Sequence, residues 1–573
     1  MGSLVSRASE TPAGLRAPAA LLLVLYWLPV ALACAWVLSL PVWPSQDGPL
    51  HLYYANILKQ LLAHQPGPYA DTYYIKSYIT PYSAYYYGLV ALSSFVTLET
   101  ADKLVVCLYM VLFAASTRTL MRAVAGGRTW ASFLCLPVLL NWPVVMGFLN
   151  YSLSTCLGFF ALAAWIGSIG RHRWLPRAWF LLLICLMMVT HPVPWMVVVS
   201  FALLELALRW LRSRSERYRA DARVPMQTFR LDLGTAVLAC VPYLYLHHFK
   251  RVVQTLEPVH ASHNARLVRL LPPAVLPFVE RAQGFLRTFG LDVFVGGTPL
   301  PRMYRAGIVL LLLAAVVVAL WSYFRNRRAS QWTASKTWLL FSLLLLPFLL
   351  FLPDPLQDRY FFAARMGILF FVGLVAAAAR ALRRQVPGMV LAGFAYVLCL
   401  FTLGLAVKYI TPAARTLATL QQAPAVGPPG TIGFTEQISG AGASPGLNFI
   451  PENWATAHYY RRNGYRIYNT SWLGDPIILV GVRPDALPQL DTTYFESVPW
   501  FGSVLLPDNP EAAAILRKVH FVVIMRQNAS RNDNPFAENE GETEPAPYAR
   551  GWNCAHGDAQ QWYLCRPPGP DVR

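Results

Sequence analysis

Just past the first long apolar run, Ala19 to Leu40, the chain reads Gln46-Asp47-Gly48-Pro49-Leu50-His51. If Pro49 opens a helix, Asp47 and His51 lie one turn apart on the same face. A carboxylate at this depth stays ionised while facing a substrate at the membrane surface, where it can accept a proton. The same group a few residues earlier would carry the cost of burial in hydrocarbon. Asp before Gly-Pro is equally a good helix N-cap, since its oxygen accepts from an orphan amide. Both readings of Asp47 stand on the sequence. Lys76 and the tyrosines Tyr53, Tyr54, Tyr73, Tyr74 and Tyr78 share the loop. Sugars stack on aromatic faces, and an aromatic belt at the membrane interface accounts for tyrosines equally well.

Further groups with chemistry lie downstream. His191, in Thr190-His191-Pro192-Val193-Pro194-Trp195, occupies a proline-stiffened turn from which an imidazole can approach Asp47 or simply bond to carbonyls at a helix end. The segment from Lys250 to Arg305 carries Lys250, Arg251, Arg266, Arg269, Arg281, Arg287, Arg302 and Arg305. Guanidinium groups bind phosphate bidentately, so Arg266 and Arg269 are candidates for a lipid phosphate, against the alternative of a loop solvated or resting on anionic headgroups. His247, His248, His260 and His263 nearby lack the HExxH spacing of a zinc site.

These groups sit on a membrane scaffold. Of 573 residues, 55% are hydrophobic and only 13% charged, with mean hydropathy +0.40, which identifies an α-helical polytopic membrane protein. Apolar windows centre on Leu21 to Leu40, Leu104 to Leu120, Phe133 to Leu149, Leu153 to Ile169, Leu175 to Thr190, Trp195 to Leu208, Leu233 to Phe249, Ile308 to Tyr323, Trp338 to Leu352, Gly367 to Ala379 and Met389 to Ala406. They predict about eleven transmembrane helices. The formal charge of +19 does not point to nucleic acid, because the arginines cluster in alternate short loops. By the positive-inside rule the N-terminus is cytoplasmic, while Asp47, Asn150, His191 and the C-terminal region lie outside. Gly48 to Leu62 and the tyrosine-rich Tyr82 to Leu98 are expected as helices lying in the outer interface, within a first outer loop of residues 41–100.

Residues 1–410 thus form the membrane module. The prolines from Pro412 to Pro429 mark residues 411–430 as a linker, and 431–573 are expected to fold outside as a small extracytoplasmic α/β domain. Thr431 to Phe434, Ile477 to Val482 and Val519 to Met525 read as strands, and Pro510 to Lys518 as a helix. Cys554 and Cys565, the cysteines of this tail, are placed either to form a disulfide or to remain as two thiols.

The layout resembles the GT-C superfamily of membrane glycosyltransferases, which take a sugar from a polyprenyl-phosphate carrier at the outer face. The likeness rests on an acid just after span one, Asp47-Gly48-Pro49-Leu50-His51 followed by Ala55, Ile57 and Leu58. It includes Lys76 ahead of Pro81, Tyr85, Tyr86 and Tyr87, and Asp358-Arg359-Tyr360 opening a late span. The resemblance implies an inverting transferase in which Asp47 is the general base or a metal-facing acid, assisted by His51 and His191. Lys76 and Arg359 would contact the carrier phosphate. It further implies a polyprenyl-phosphate sugar donor, a lipid or glycan acceptor, and a place in the plasma (inner) membrane. The chain has Asn150 where many relatives place a second acid, and it has no Trp-Trp-Asp, so a divalent cation cofactor is left open. A transporter or flippase for a lipid-linked precursor, or a non-catalytic membrane subunit, are the alternatives. A transporter tends to show repeated halves and ionisable groups near the midplane, neither evident here.

Overall fold

The computed structural model describes residues 19–45, 47–214, 226–256, 299–325, 334–351, 362–383, 385–439, 456–468, 479–483, 485–486, 518–527, 552–556 and 562–566. Arg266, Arg269, Arg359 and most of the expected helix Pro510 to Lys518 lie outside them.

The chain begins with α1 (Ala19–Ser39), which is apolar all round. Leu21, Leu28 and Leu32 are exposed, while Tyr26, Val30, Ala33 and Val37, three and four residues apart, are buried. That stripe packs on α5, and the opposite face is the one a bilayer would solvate. After α1 come α2 (Gly48–Leu62), the short α3 (Pro68–Thr72), β1 (Tyr73–Ile75), α4 (Ser83–Leu92) and α5 (Leu98–Ala125). Lys103 of α5 donates to the carbonyls of Leu38 (3.2 Å) and Leu40 (2.7 Å), placing a cation on the orphan carbonyls that end α1.

The rest of the bundle is α6 (Trp142–Val145), α7 (Leu149–Ser168), α8 (Trp174–Thr190), α9 (Pro192–Arg214), α10 (Met226–Leu256), α11 (Pro299–Arg325), α12 (Ala334–Phe351), α13 (Phe362–Ala378) and α14 (Gln385–Gln421). Among the described residues five helices, α1, α5, α7, α9 and α14, are long and apolar enough to cross a membrane, and shorter apolar helices run through α8, α11, α12 and α13.

The expected span Phe133 to Leu149 is not one α-helix. It is a 3-10 helix, Trp130–Val138, then a single turn, α6, then a reversal at Gly147. Pro137 and Pro143 lack amide protons and break the α-helical ladder. The segment still joins the two ends of the bundle. At its start the Thr129 hydroxyl donates to the Ala379 carbonyl and Arg383 to the carbonyl of Ala125, at the far end of α5; at its end Met146 meets Asp47. Its irregular backbone is buried in protein throughout, the setting in which a membrane protein tolerates such geometry.

Two more expectations are corrected. The helices α2 and α4 do not lie open at an interface: Leu50 to Ala55 of α2, and Tyr82, Tyr85 and Tyr86 at the start of α4, are buried. Both are covered, α4 by α5 and α8, α2 by the C-terminal part of the chain. The linker is also shorter than its prolines suggest, because α14 continues through Pro412 to Gln421. Trp36 donates to the Thr411 hydroxyl and Trp562 to that of Thr419, so these last turns are held from both sides.

After Gly430 follow β2 (Ile432–Ser439), α15 (Ala457–Asn463), β3 (Arg466–Ile467), β4 (Val480–Val482), β5 (Phe521–Gln527), β6 (Asn553–His556) and β7 (Trp562–Arg566). Five strands form a mixed sheet in the order β3-β2-β5-β7-β6, parallel across β3-β2-β5 and antiparallel beyond. The helix α15 supplies the crossover that a parallel β2-β3 pair requires. Cys554 and Cys565 are register partners on β6 and β7 and form a disulfide. The remaining strand, β4, leaves this sheet and pairs antiparallel with β1 of the first loop.

Candidate active site

The Asp47 carboxyl occupies the N-cap position of α2 without capping it. Its backbone is in the right-handed helical region (φ −84°, ψ −21°), and the side chain accepts no amide of the first turn. A capping side chain normally starts from an extended backbone, which aims its oxygen back at the helix. Here the neighbouring chain fixes the backbone instead: the Asp47 amide donates to the Met146 carbonyl at 2.9 Å, and the Asp47 carbonyl accepts from the His51 amide at 3.0 Å. The contact needs Gly147, whose φ is +85°. A Cβ there would stand 2.8 Å from the Gly48 nitrogen and 3.1 Å from the Asp47 nitrogen. The broken segment thus ends by pressing its turn onto the acid.

Asp47 is 3% exposed. Burial pushes its carboxyl well above the usual Asp range, and the Arg365 guanidinium works in the opposite direction. Arg365 opens the apolar part of α13; its guanidinium lies 4.0 Å over the Phe148 ring and 6.0 Å from that of Tyr151. The Tyr151 hydroxyl donates to the Arg365 carbonyl at 2.6 Å, holding that turn in place.

The surroundings hold an unusual number of unused polar atoms. Among the described residues Ser45 Oγ, Asp47 Oδ1, Tyr85 Oη and Asp102 Oδ1 are buried without a hydrogen-bond partner. Asp102, on α5, comes close to Gly48, since a Cβ on that glycine would be 3.8 Å from Asp102 Oδ2. Both acids raise the phenol of Tyr85 further above its ordinary value, after burial itself. Each such orphan costs about 1–3 kcal/mol in a dry interior. Concentrated around one carboxyl, they describe a place built for a polar occupant.

His51 engages the tyrosines of α4. Its Nδ1 is 2.8 Å from the Tyr86 hydroxyl, and its ring meets Tyr85 and Tyr86 edge-on. Burial pulls it down to about 3, so it is a neutral imidazole at ordinary pH. His191 ends α8. Its Nδ1 accepts from the Val193 amide at 3.3 Å, which leaves the proton of a neutral ring on Nε2, 3.3 Å from the Tyr82 hydroxyl. The ring stacks on Tyr82 and meets Tyr151 edge-on. The three residues are therefore gathered by one element: Tyr82, Tyr85 and Tyr86, at the start of α4, reach His191, the two acids and His51 respectively. His191 is linked towards Asp47 through Tyr151, whose ring meets the imidazole, and Arg365, whose guanidinium acts on the Asp47 carboxyl.

Lys76 follows β1, half-buried, with its amide donating to the Leu479 carbonyl at 2.8 Å. The pairing of β1 with β4 thus anchors the backbone at this lysine. Asn150 uses its Oδ1 to accept from the Tyr151 amide at 2.8 Å. Among the described residues no three His, Cys, Asp or Glu side chains form a metal-binding group. Among the described residues the unpartnered oxygens named above are of the kind that suits a hard cation rather than zinc.

Sequence reasoning passed over two residues of this neighbourhood, Arg365 and Asp102. The signal for each was faint, since Arg365 stands just before the apolar window Gly367 to Ala379 and Asp102 lies in the polar lead-in, Glu99 to Lys103, of the window Leu104 to Leu120.

No family model matches this chain, and no curated protein matches it. Among solved structures it is similar to ArnT from Cupriavidus metallidurans bound to undecaprenyl phosphate, with a TM-score of 0.50 at 12% identity over 96% of this chain and 99% of that one. The apo state of the same protein gives a TM-score of 0.47 at 14% identity over 89% and 94%. At this identity the likeness is one of fold, and it agrees with the GT-C layout expected from the sequence.

Proposed function

We propose that this protein is an integral membrane glycosyltransferase that moves a sugar from a polyprenyl-phosphate carrier to a hydroxyl or amine acceptor at the extracytoplasmic face, with inversion at the anomeric carbon. The observation that carries this reading is Asp47: a buried carboxyl, excused from capping, unpartnered at Oδ1 and facing a guanidinium, in a fold shared with a protein that binds undecaprenyl phosphate.

Asp47 would take the proton of the acceptor as its oxygen or nitrogen attacks the anomeric carbon. Burial raises its pKa and the Arg365 guanidinium opposes that rise; in its ionised form the carboxylate accepts the proton as a general base. The carrier phosphate leaves with the electrons of the broken bond. Arg365 and Lys76, together with Arg359, Arg266 and Arg269, would stabilise that charge. His51, neutral and bonded to Tyr86, holds the tyrosine wall rather than transferring protons, and His191 supports the same wall through Tyr82. The direction of transfer follows from the arginine-bearing loops, which put the N-terminus in the cytoplasm and the C-terminal sheet outside the inner membrane.

The test is reconstitution in lipid vesicles with undecaprenyl-phosphate sugars and a glycan or lipid acceptor, following released undecaprenyl phosphate. Wild-type protein should release the carrier and Asp47→Asn should not. Carrier release at the same rate by both would remove the proposal.

A further inference from the structure

Far along α2 from Asp47 lies a second polar space. α2 advances about 1.5 Å per residue, so Asn56 and Gln60 stand roughly 12 and 18 Å beyond Gly48. There α2, α3, the first turn of α5, the last turn of α14 and the end of α15 enclose an open cleft of about 640 Å³. Its walls include Asn56, Gln60 and Asn463, Tyr69, Arg462, and the ion pair between Glu99 and Arg461. The cleft exists only because the C-terminal sheet is docked on the membrane module, since α15 supplies one wall and α2 the other.

The chemistry of these walls is selective. The planar carboxamides present a donor and an acceptor side by side, the pattern that matches adjacent hydroxyls on a ring. Asn463 spends its Nδ2 on the Tyr459 carbonyl at 2.9 Å, so its oxygen is the acceptor on offer. The Nε of Arg461 is buried without a hydrogen-bond partner among the described residues. Glu99 offsets the charge of Arg461, and Arg462, a second guanidinium on the lining, spends its Nη1 on the Gln421 carbonyl. The polar lining gives an acyl chain little to bury against. The volume lies within the range of small-ligand sites.

We infer that this cleft binds a neutral oligosaccharide, as a holding site for the glycan part of the acceptor. The role as acceptor site rests on the glycosyltransfer reading; the binding itself does not. Holding one part of a long acceptor at the cleft raises the effective concentration of the rest near Asp47, without any contact to the reacting atoms.

The experiment is calorimetric titration of the full-length protein in nanodiscs with maltotriose, mannotriose and chitotriose, and with trigalacturonate and inorganic phosphate as anionic controls. Saturable binding of at least one neutral trisaccharide is expected, weakened about tenfold in Gln60→Ala and in Asn463→Ala. Gln60 is a partly exposed helix position where alanine is well tolerated, so that variant keeps its fold if Asn463→Ala does not. No binding by any neutral trisaccharide, binding unchanged in Gln60→Ala, or preference for an anionic control would overturn the inference. Binding found together with full carrier release by Asp47→Asn would instead overturn the catalytic reading alone.

Discussion

Replacing Asp47 by Asn separates catalysis from architecture because the structure assigns the side chain so little structural work. It forms no cap bond, so the usual cap loss of about 0.5–2 kcal/mol does not apply. What it does carry is the cost of a buried acid: its pKa in the folded protein is raised above the ordinary 3.8. The folded state then holds a proton that the unfolded chain has lost, so stability falls as pH rises from about 4 through the raised value. Asn removes this term. Asp47→Asn should therefore melt at the same temperature as wild type below pH 4, and at the same or a higher temperature at pH 7. Its transfer rate should fall by about 100-fold to 10,000-fold, roughly 3–5 kcal/mol of barrier. Carrier release from vesicles and thermal unfolding at a series of pH values measure the two quantities on one preparation. Near-normal turnover would refute the base assignment, and a marked loss of stability at pH 7 would refute the claim that the carboxyl has no structural role.

Gly147→Ala should disrupt the site from its far side: φ of +85° costs an L residue about 1–2 kcal/mol, and the methyl would press on the Gly48 and Asp47 amides. A lowered melting temperature together with lost transfer is expected, and an unchanged variant would show that the Met146 contact is dispensable. Lys76→Ala should weaken donor binding, read by titration with undecaprenyl phosphate, more than it lowers the melting temperature; unchanged affinity would remove Lys76 from the phosphate site. Glu99→Ala should expose the docking of the C-terminal sheet by leaving Arg461 buried without its partner, a change that costs about 3–5 kcal/mol when a pair is fully buried. Because both side chains keep slight exposure, 11% and 14%, the lower end is expected. The readout is faster proteolysis after Gln421, and a cleavage rate equal to wild type would show that the ion pair does not hold the sheet.

How far the sequence alone reached can be judged residue by residue. Hydrophobic run length and charge alternation are local properties, and a bilayer reads them one segment at a time. That is why the membrane class and the position of Asp47 just past α1 were legible without coordinates. The strands β2 and β5 were legible for the same reason, as apolar runs of β-branched and aromatic residues. The tyrosines of α4 misled because a tyrosine satisfies an interface and a polar interior equally well; only the packing of α4 against α5 and α8 decides between them. The break at Pro137, Pro143 and Gly147 was visible as residues, yet its purpose, bringing the Met146 carbonyl to the Asp47 amide, joins positions about a hundred apart. Arg365 and Asp102 were hidden the same way, each standing just outside an apolar run until the fold set it beside Asp47 or Gly48. The cleft at Asn56 and Asn463 has no local signature at all, since its two walls come from opposite ends of the chain. Sequence determines which segments partition into a membrane and which residues can ionise there. The convergence of those residues depends on long-range packing, which no window along the chain contains.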